Sequence, residues 1–193
     1  MSGGRLAGMP SLTRAEATRR AAQLAVQGYA VALDLDIGDE RFASQTTVTF
    51  QALADGVQTW VDVKATDVHE VLLDGIPVDL AGWRDGRLAL PALAGGAHTL
   101  SVDATMAYRR DGSGLHRAVD PADGEAYVYV QSFLDYAPAV FACFDQPDLK
   151  APISLRVHAP AHWIIVGNGA ATQVGDGEWE LAATAPISTY LFT

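Results

Sequence analysis

The stretch that decides the fold is Tyr29–Phe50, YAVALDLDIGDERFASQTTVTF. Tyr29, Val31, Leu33, Leu35 and Ile37 alternate with Ala30, Ala32, Asp34 and Asp36, and a period of two is that of a strand with one buried face. Gly38-Asp39-Glu40 turns the chain. Phe42 and then Thr46 to Phe50, rich in β-branched residues, make the returning strand.

Toward the N-terminus the period changes. Thr13-Arg14-Ala15-Glu16 reads as a capping box, with Thr13 as N-cap and Glu16 reaching back. Ala15, Ala17, Ala21, Ala22 and Leu24 favour helix, so one short helix is predicted from about Arg14 to Val26. Arg19-Arg20 followed by AAQLAVQGYAVAL has the outline of a secretory signal. Gln23, Gln27 and Gly28 interrupt it, and it runs straight into the alternating strand, so it is read as structure. Residues 1–12, small and Gly-rich, are expected to be a disordered segment ahead of one domain spanning 13–193.

Toward the C-terminus short strands are predicted at Thr59–Val63, Val68–Leu73, Arg87–Leu90 and Thr99–Tyr108. Asp74-Gly75 and Asp85-Gly86 are two-residue hairpin pairs. Leu100, Val102, Ala104, Met106 and Tyr108 share one face. After a Gly/Asp-rich loop (111–124), Tyr127, Tyr129 and Gln131 alternate on another strand. Ile153–His158, Trp163–Val166, Glu178–Leu181 and Ile187–Phe192 complete the set, with turns at Asn168-Gly169 and Asp176-Gly177. Many short strands, frequent Asp-Gly turns and one edge helix predict an all-β fold: an antiparallel, saddle-like β-sandwich with one short N-terminal helix.

Composition bounds the function. Apolar residues make up 49% and charged residues 19% of the 193, which is globular. A formal charge of −10 argues against a nucleic-acid partner, whose phosphates need clustered Lys and Arg. No apolar run approaches the ~18 residues of a membrane span. A single cysteine, Cys143, allows no internal disulfide and fits a reducing cytoplasm, the expected location.

Few residues suggest chemistry. His69-Glu70-Val71-Leu72-Leu73 begins like the zinc motif HExxH, but Leu73 stands where the second ligand belongs, and the run alternates as a strand. His98, His116, His158 and His162 have no ligand spacing. Cys143 has no neighbouring His to activate it and reads as a buried structural thiol. There is no G-x-S-x-G elbow, and Gly112-Ser113-Gly114 reads as a plain turn. The richest stretch, residues 107–151, crowds aromatic residues, Asp and Gly without clear periodicity. It reads either as an ordered loop whose Asp side chains cap turns around Pro121 and Pro147, or as a surface that meets a partner.

Within that stretch Phe141-Ala142-Cys143-Phe144-Asp145-Gln146-Pro147-Asp148-Leu149-Lys150-Ala151 resembles the FPCFDQPDLKA signature of the aminopeptidase N family of zinc metallopeptidases. Tyr108–Arg117, Asp120–Gly124 and Tyr127–Gln131 agree with it, as do the opening Tyr29–Thr49 and the closing Pro186–Leu191. The resemblance covers roughly residues 12–193. It implies a saddle-like β-domain packed on a catalytic zinc domain that follows in the chain and carries the HExxH helix. The implied reaction of a complete relative is removal of an N-terminal residue from a peptide substrate by zinc-activated water. Zinc is thus implied for the parent enzyme, while this chain holds no catalytic residue and no metal ligand set.

The resemblance also places two residues at the substrate cleft. Gln131 matches a family Gln that lines the first side-chain pocket. Phe133 occupies the place of the Glu that binds the substrate's free amine, and Pro138-Ala139 replaces a paired Arg. Glu125 and Asp135, the nearest acids, are out of register. The leading expectation is a non-catalytic domain of a zinc aminopeptidase, partnered in cis by the zinc domain. Its rival is a stand-alone interaction or scaffold domain derived from that family, and an independent enzyme ranks below both. An apolar patch near Phe141–Leu149 or Gln131 is expected to be left for a partner, with self-association as one consequence.

Overall fold

A computed structural model describes residues 11–193 of the chain, so the disorder expected of residues 1–12 lies, but for residues 11 and 12, outside the described residues. The capping box forms as read: Glu16 N–H donates to the Thr13 hydroxyl at 3.3 Å, and Thr13 N–H donates to the Glu16 carboxylate at 2.8 Å. Helix α1 is shorter than its alanines predict, running Arg14–Ala21 with Ala22 as C-cap. From Leu24 the backbone pairs instead with residues 50–52, and a ladder between distant strands outweighs local helix propensity.

Twelve strands follow: β1 (Leu24–Asp34), β2 (Arg41–Ala52), β3 (Trp60–Asp62), β4 (Asp67–Leu73), β5 (Ile76–Pro77), β6 (Arg87–Ala89), β7 (Gly96–Ala107), β8 (Gly114–Val119), β9 (Ala126–Gln131), β10 (Ile153–His158), β11 (Ala171–Gly175) and β12 (Glu178–Leu181). Eight form one sheet in the order β11-β12-β10-β1-β2-β7-β4-β5, while β3–β6 and β8–β9 are separate two-stranded ribbons. The fold is all-β and mostly antiparallel, with one pairing that alternation could not show. β1 runs parallel to β10, from Tyr29 opposite Ile153 to Asp34 opposite His158.

The core follows the predicted periodicity. Tyr29, Val31, Leu33 and Leu35 are buried, as are Leu100, Val102, Ala104, Met106 and Tyr108. Ile37 lies past the end of β1 and is exposed. The Asp-Gly pairs behave as hairpin turns: Asp74 and Gly75 have φ of 53° and 79°, Asp85 and Gly86 of 51° and 71°. Both central residues are therefore left-handed, as the twist-matched type I′ turn requires.

Two expectations near the C-terminus change, and one strand is new. Trp163–Val166 joins no sheet, and Ala171–Gly175 is a strand that no alternation announced. Ile187–Phe192 is not a strand. Ile187 pairs only with Ala151, and Thr189–Leu191 forms a 3₁₀ turn. The cause is side-chain bonding. The Ser188 hydroxyl donates to the Pro147 carbonyl and the Thr189 hydroxyl donates to Asp145, which pulls this segment onto the 141–151 loop.

Candidate functional site

The segment 141–151 carries the family signature, and the structure puts it inside. Phe141, Ala142, Cys143, Phe144, Gln146 and Ala151 are all buried, which overturns the expectation of an apolar patch around Phe141–Leu149. Phe141 meets Tyr29 edge-on at 5.8 Å and Phe192 at 4.9 Å, and Phe144 meets Phe50 at 5.1 Å. Cys143 bridges its backbone to Asp62 of β3. Burial, with the nearby Asp145 and Asp62 carboxylates, drives its thiol well above the ordinary range, so it is a packed thiol and no nucleophile.

Around this segment the charges form one buried knot. Arg20 of α1, 2% exposed, donates from Nη1 to Asp62 at 3.2 Å and from Nε to Gln146 at 3.0 Å. Its guanidinium lies 4.3 Å from the Trp60 ring centroid, and that of Arg87 lies 4.7 Å from the same centroid. Asp62 also accepts from Trp60 Nε1 at 2.9 Å and from Asp145 N–H at 3.1 Å, and forms an ion pair with Arg87, Nε lying 3.3 Å away. Gln146 Nε2 donates to the Ala17 carbonyl at 2.9 Å. Burial raises the Asp145 carboxyl against the lowering effect of its Thr189 bond, and the Asp62 and Asp135 carboxylates raise it further. Every polar group in the knot has a partner. Its task is to tie α1, β3 and the 141–151 segment together.

The cleft-facing candidates sit elsewhere, on the β8–β9 ribbon. Tyr127, Tyr129 and Gln131 project from one face of β9 and are exposed, while Val128 and Val130 are half-buried against the core. Phe133 and Leu134 follow at 62% and 57% exposure. Gln131 and Phe133 are therefore both on the surface at one end of the ribbon. Tyr127 and Tyr129 extend the same face, and the period-two reading had placed them there. Beside β9 runs a groove of about 770 Å³, lined by Leu33, Leu35, Leu155 and Val157, by residues 126–130 of β9 and by residues 162–166. Neither Gln131 nor Phe133 lines it.

The histidines scatter. His69 lies on β4 and bonds the Thr105 hydroxyl, His98 bonds Asp74, His158 bonds Asp34, and His162 faces Glu125. Among the described residues no three His, Cys, Asp or Glu side chains converge as a metal ion would need, so the donor set here does not fit zinc. No described helix is long and apolar enough to cross a membrane.

Comparison with known proteins adds the following. The model of the Peptidase M1 N-terminal domain matches residues 26–191. The chain is 42% identical over 184 residues to an Aminopeptidase N of Streptomyces lividans, spanning 94% of this chain and 22% of that protein. It is 30% identical over 118 residues to a membrane alanyl aminopeptidase of Heliothis virescens, covering 55% of this chain and 12% of the relative. The native yeast LTA4 hydrolase structure superposes with a TM-score of 0.75 at 20% identity, over 89% of this chain and 28% of that one, a likeness of fold. The chain thus spans under a third of the length of each.

Proposed function

The chain belongs to the Peptidase M1 N-terminal domain family, and from that premise we propose that residues 13–193 serve as the non-catalytic β-domain of a zinc-dependent aminopeptidase, packed on its zinc domain and lining part of the substrate cleft. The observation that carries this reading is the 42% identity over 94% of the chain to an aminopeptidase of which it spans only 22%. Zinc, and the activated water it supplies, belongs to the further domain. A cytoplasmic setting, supported by the single unpaired thiol, is part of the same proposal.

Within it the ribbon end presents Gln131 to the side chain of a peptide's first residue. Phe133 stands where the amine is held. An ammonium leaving water needs an anion, and a phenyl ring offers only the weaker attraction of its π face. The domain therefore contributes shape and a hydrogen-bonding amide to the cleft, and little charge.

The test compares this chain with the polypeptide of its full reading frame. The full polypeptide is expected to bind zinc and hydrolyse aminoacyl-anilides, and Gln131→Ala in it is expected to raise KM more than it lowers kcat. The isolated chain is expected to do neither. One zinc per isolated chain, surviving dialysis against chelator, overturns the reading. A stop codon directly after Thr193 transfers it to the stand-alone interaction domain.

A further inference from the structure

The groove beside β9 has a hydrogen-bonding pattern that specifies its occupant. β8 and β9 are antiparallel, with Leu115 opposite Val130 and Arg117 opposite Val128. The Leu115 carbonyl accepts from Arg109 N–H and Arg117 N–H donates to the Arg109 carbonyl, so these two residues spend their backbone groups on the side away from β9. In an antiparallel ladder that makes 115/130 and 117/128 the pairs that exchange no bonds. The N–H and C=O of Val128 and Val130 accordingly point away from β8, to the open edge, and among the described residues no backbone partner meets them there.

The opposite wall, Ile164, Ile165 and Val166, belongs to no strand, and none of its backbone groups is bonded to another backbone group among the described residues. Close approaches hold this wall in place. A side chain at Gly167 would meet Leu181 at 2.6 Å and the Thr193 carbonyl at 2.9 Å, and Thr193 N–H donates to Asn168 at 2.9 Å. Between the walls the floor is aliphatic. One strand edge and one non-sheet segment, each with backbone donors and acceptors that meet no other described backbone group, line one trough over apolar side chains, although backbone polar groups are almost always paired in native structures.

We propose that this groove receives a single extended strand, apolar on the side facing Leu33, Leu35, Leu155 and Val157, that hydrogen-bonds to β9 on one edge and to Ile164–Val166 on the other. The occupant rests on the reading above: it is a strand of the remaining polypeptide that accompanies this domain in its longer relatives, of which the domain is about a fifth. Strand addition of this kind draws affinity from main-chain bonds and specificity from alternate side chains. The groove volume of about 770 Å³ is within the range of sites that bury most of a ligand. It also accounts for Ile164 and Val166, which are among the most exposed large apolar residues of the chain, at 81% and 83%.

Amide hydrogen exchange on the isolated chain tests it without reference to catalysis, so its failure and that of the functional reading are distinguishable. The probe is a short capped peptide of alternating Thr and Val, and the control is the same peptide N-methylated at every second residue. The unmodified peptide is expected to slow exchange at Val128, Val130 and Ile164–Val166 by roughly tenfold or more, and the N-methylated one to leave them unchanged. Val130→Pro removes an outward donor while sparing the β8 ladder, and is expected to abolish the effect with β8 protection intact. Should that variant not fold, the two peptides on the parent chain still decide. Equal protection by both peptides overturns the proposal in favour of side-chain binding, and protection confined to another edge such as β11 overturns it outright. Protection of the same amides on concentrating the chain alone assigns the groove to a second copy, and the proposal fails.

Discussion

Arg20→Met tests whether the charge knot beneath the 141–151 segment holds the fold together. Methionine keeps the length and apolar stem of Arg20 while removing the donors to Asp62 and Gln146. Breaking a buried pair by deleting one partner costs about 3–5 kcal/mol. The low end applies here, because Asp62 keeps Trp60 Nε1 and Asp145 N–H as donors at 2.9 and 3.1 Å and the Arg87 guanidinium as a counter-charge at 3.3 Å. Gln146 Oε1 loses its charged donor, which adds about 1 kcal/mol. The expected loss is about 4 kcal/mol, and with a urea m-value of about 2 kcal/mol/M the midpoint falls by roughly 2 M. Tryptophan fluorescence reports the transition. Arg87→Met is the internal control. Arg87 sits at the knot's rim, 19% exposed, pairing with Glu16 (25% exposed) as well as Asp62; solvent reaches it, Asp62 keeps Arg20 as its buried counter-charge, and a loss of about 1–2 kcal/mol is expected. A loss below about 1 kcal/mol for Arg20→Met, or one no larger than that of Arg87→Met, refutes the argument that the knot is a buried structural device.

Cys143 is expected to resist a water-soluble thiol reagent in the folded chain and to react at the rate of global unfolding, read as labelling against urea; fast labelling in buffer contradicts its burial. Two histidines give stability a slope with pH. The hydrogen bond from His158 to Asp34 raises its imidazole, and at His98 the Ala94 carbonyl and the Asp74 carboxylate outweigh burial and raise it too. Both folded pKa values lie above the unfolded value of about 6.5, so their contribution is complete below that pH and is lost as pH rises through the folded values. The urea midpoint is expected to fall over that window, and proton NMR of the two imidazoles to show raised titrations; a rising midpoint there would sink the assignment. In the full polypeptide, Phe133→Glu is expected to raise kcat/KM on free-amine peptides and leave blocked ones unchanged, since it restores an anion for the ammonium. An unchanged ratio in steady-state assays means Phe133 does not face the amine.

What was legible in the sequence is what is local. The Thr13–Glu16 capping box, the Asp-Gly turns and the alternation in β1 and β7 each depend on residues a few positions apart, and each appears as read. The helix end was misplaced because Leu24–Val26 are claimed by Phe50–Ala52, a partner that no local propensity encodes. The Ile187–Phe192 pattern looked like a strand because its composition suits one, yet two hydroxyls bound to the 141–151 segment decide its path. That segment shows the limit most plainly: composition offers an ordered loop or a partner-facing surface, whereas Gln146 is buried and its amide oxygen is satisfied there by Arg20 arriving from α1. Of the site, the ribbon face bearing Gln131 was readable from period two. The groove along the edge of β9 was not, because an unpaired edge is a property of neighbours.

The parallel pairing of β1 with β10 has a bearing on how the chain is made. Asp34 and His158, partners in that ladder, are 124 residues apart. As the polypeptide leaves the ribosome, β1 acquires β2 almost at once, but its other edge waits until most of the domain has been synthesised. Contacts of such separation fold slowly, and an open edge in the interval is a template for wrong pairing. β10 in turn needs β12 on its far side. Ribosomes that stall before His158 would release not a smaller version of this fold but a half-sheet with its central strand uncovered, a natural client for chaperones that shield strand edges.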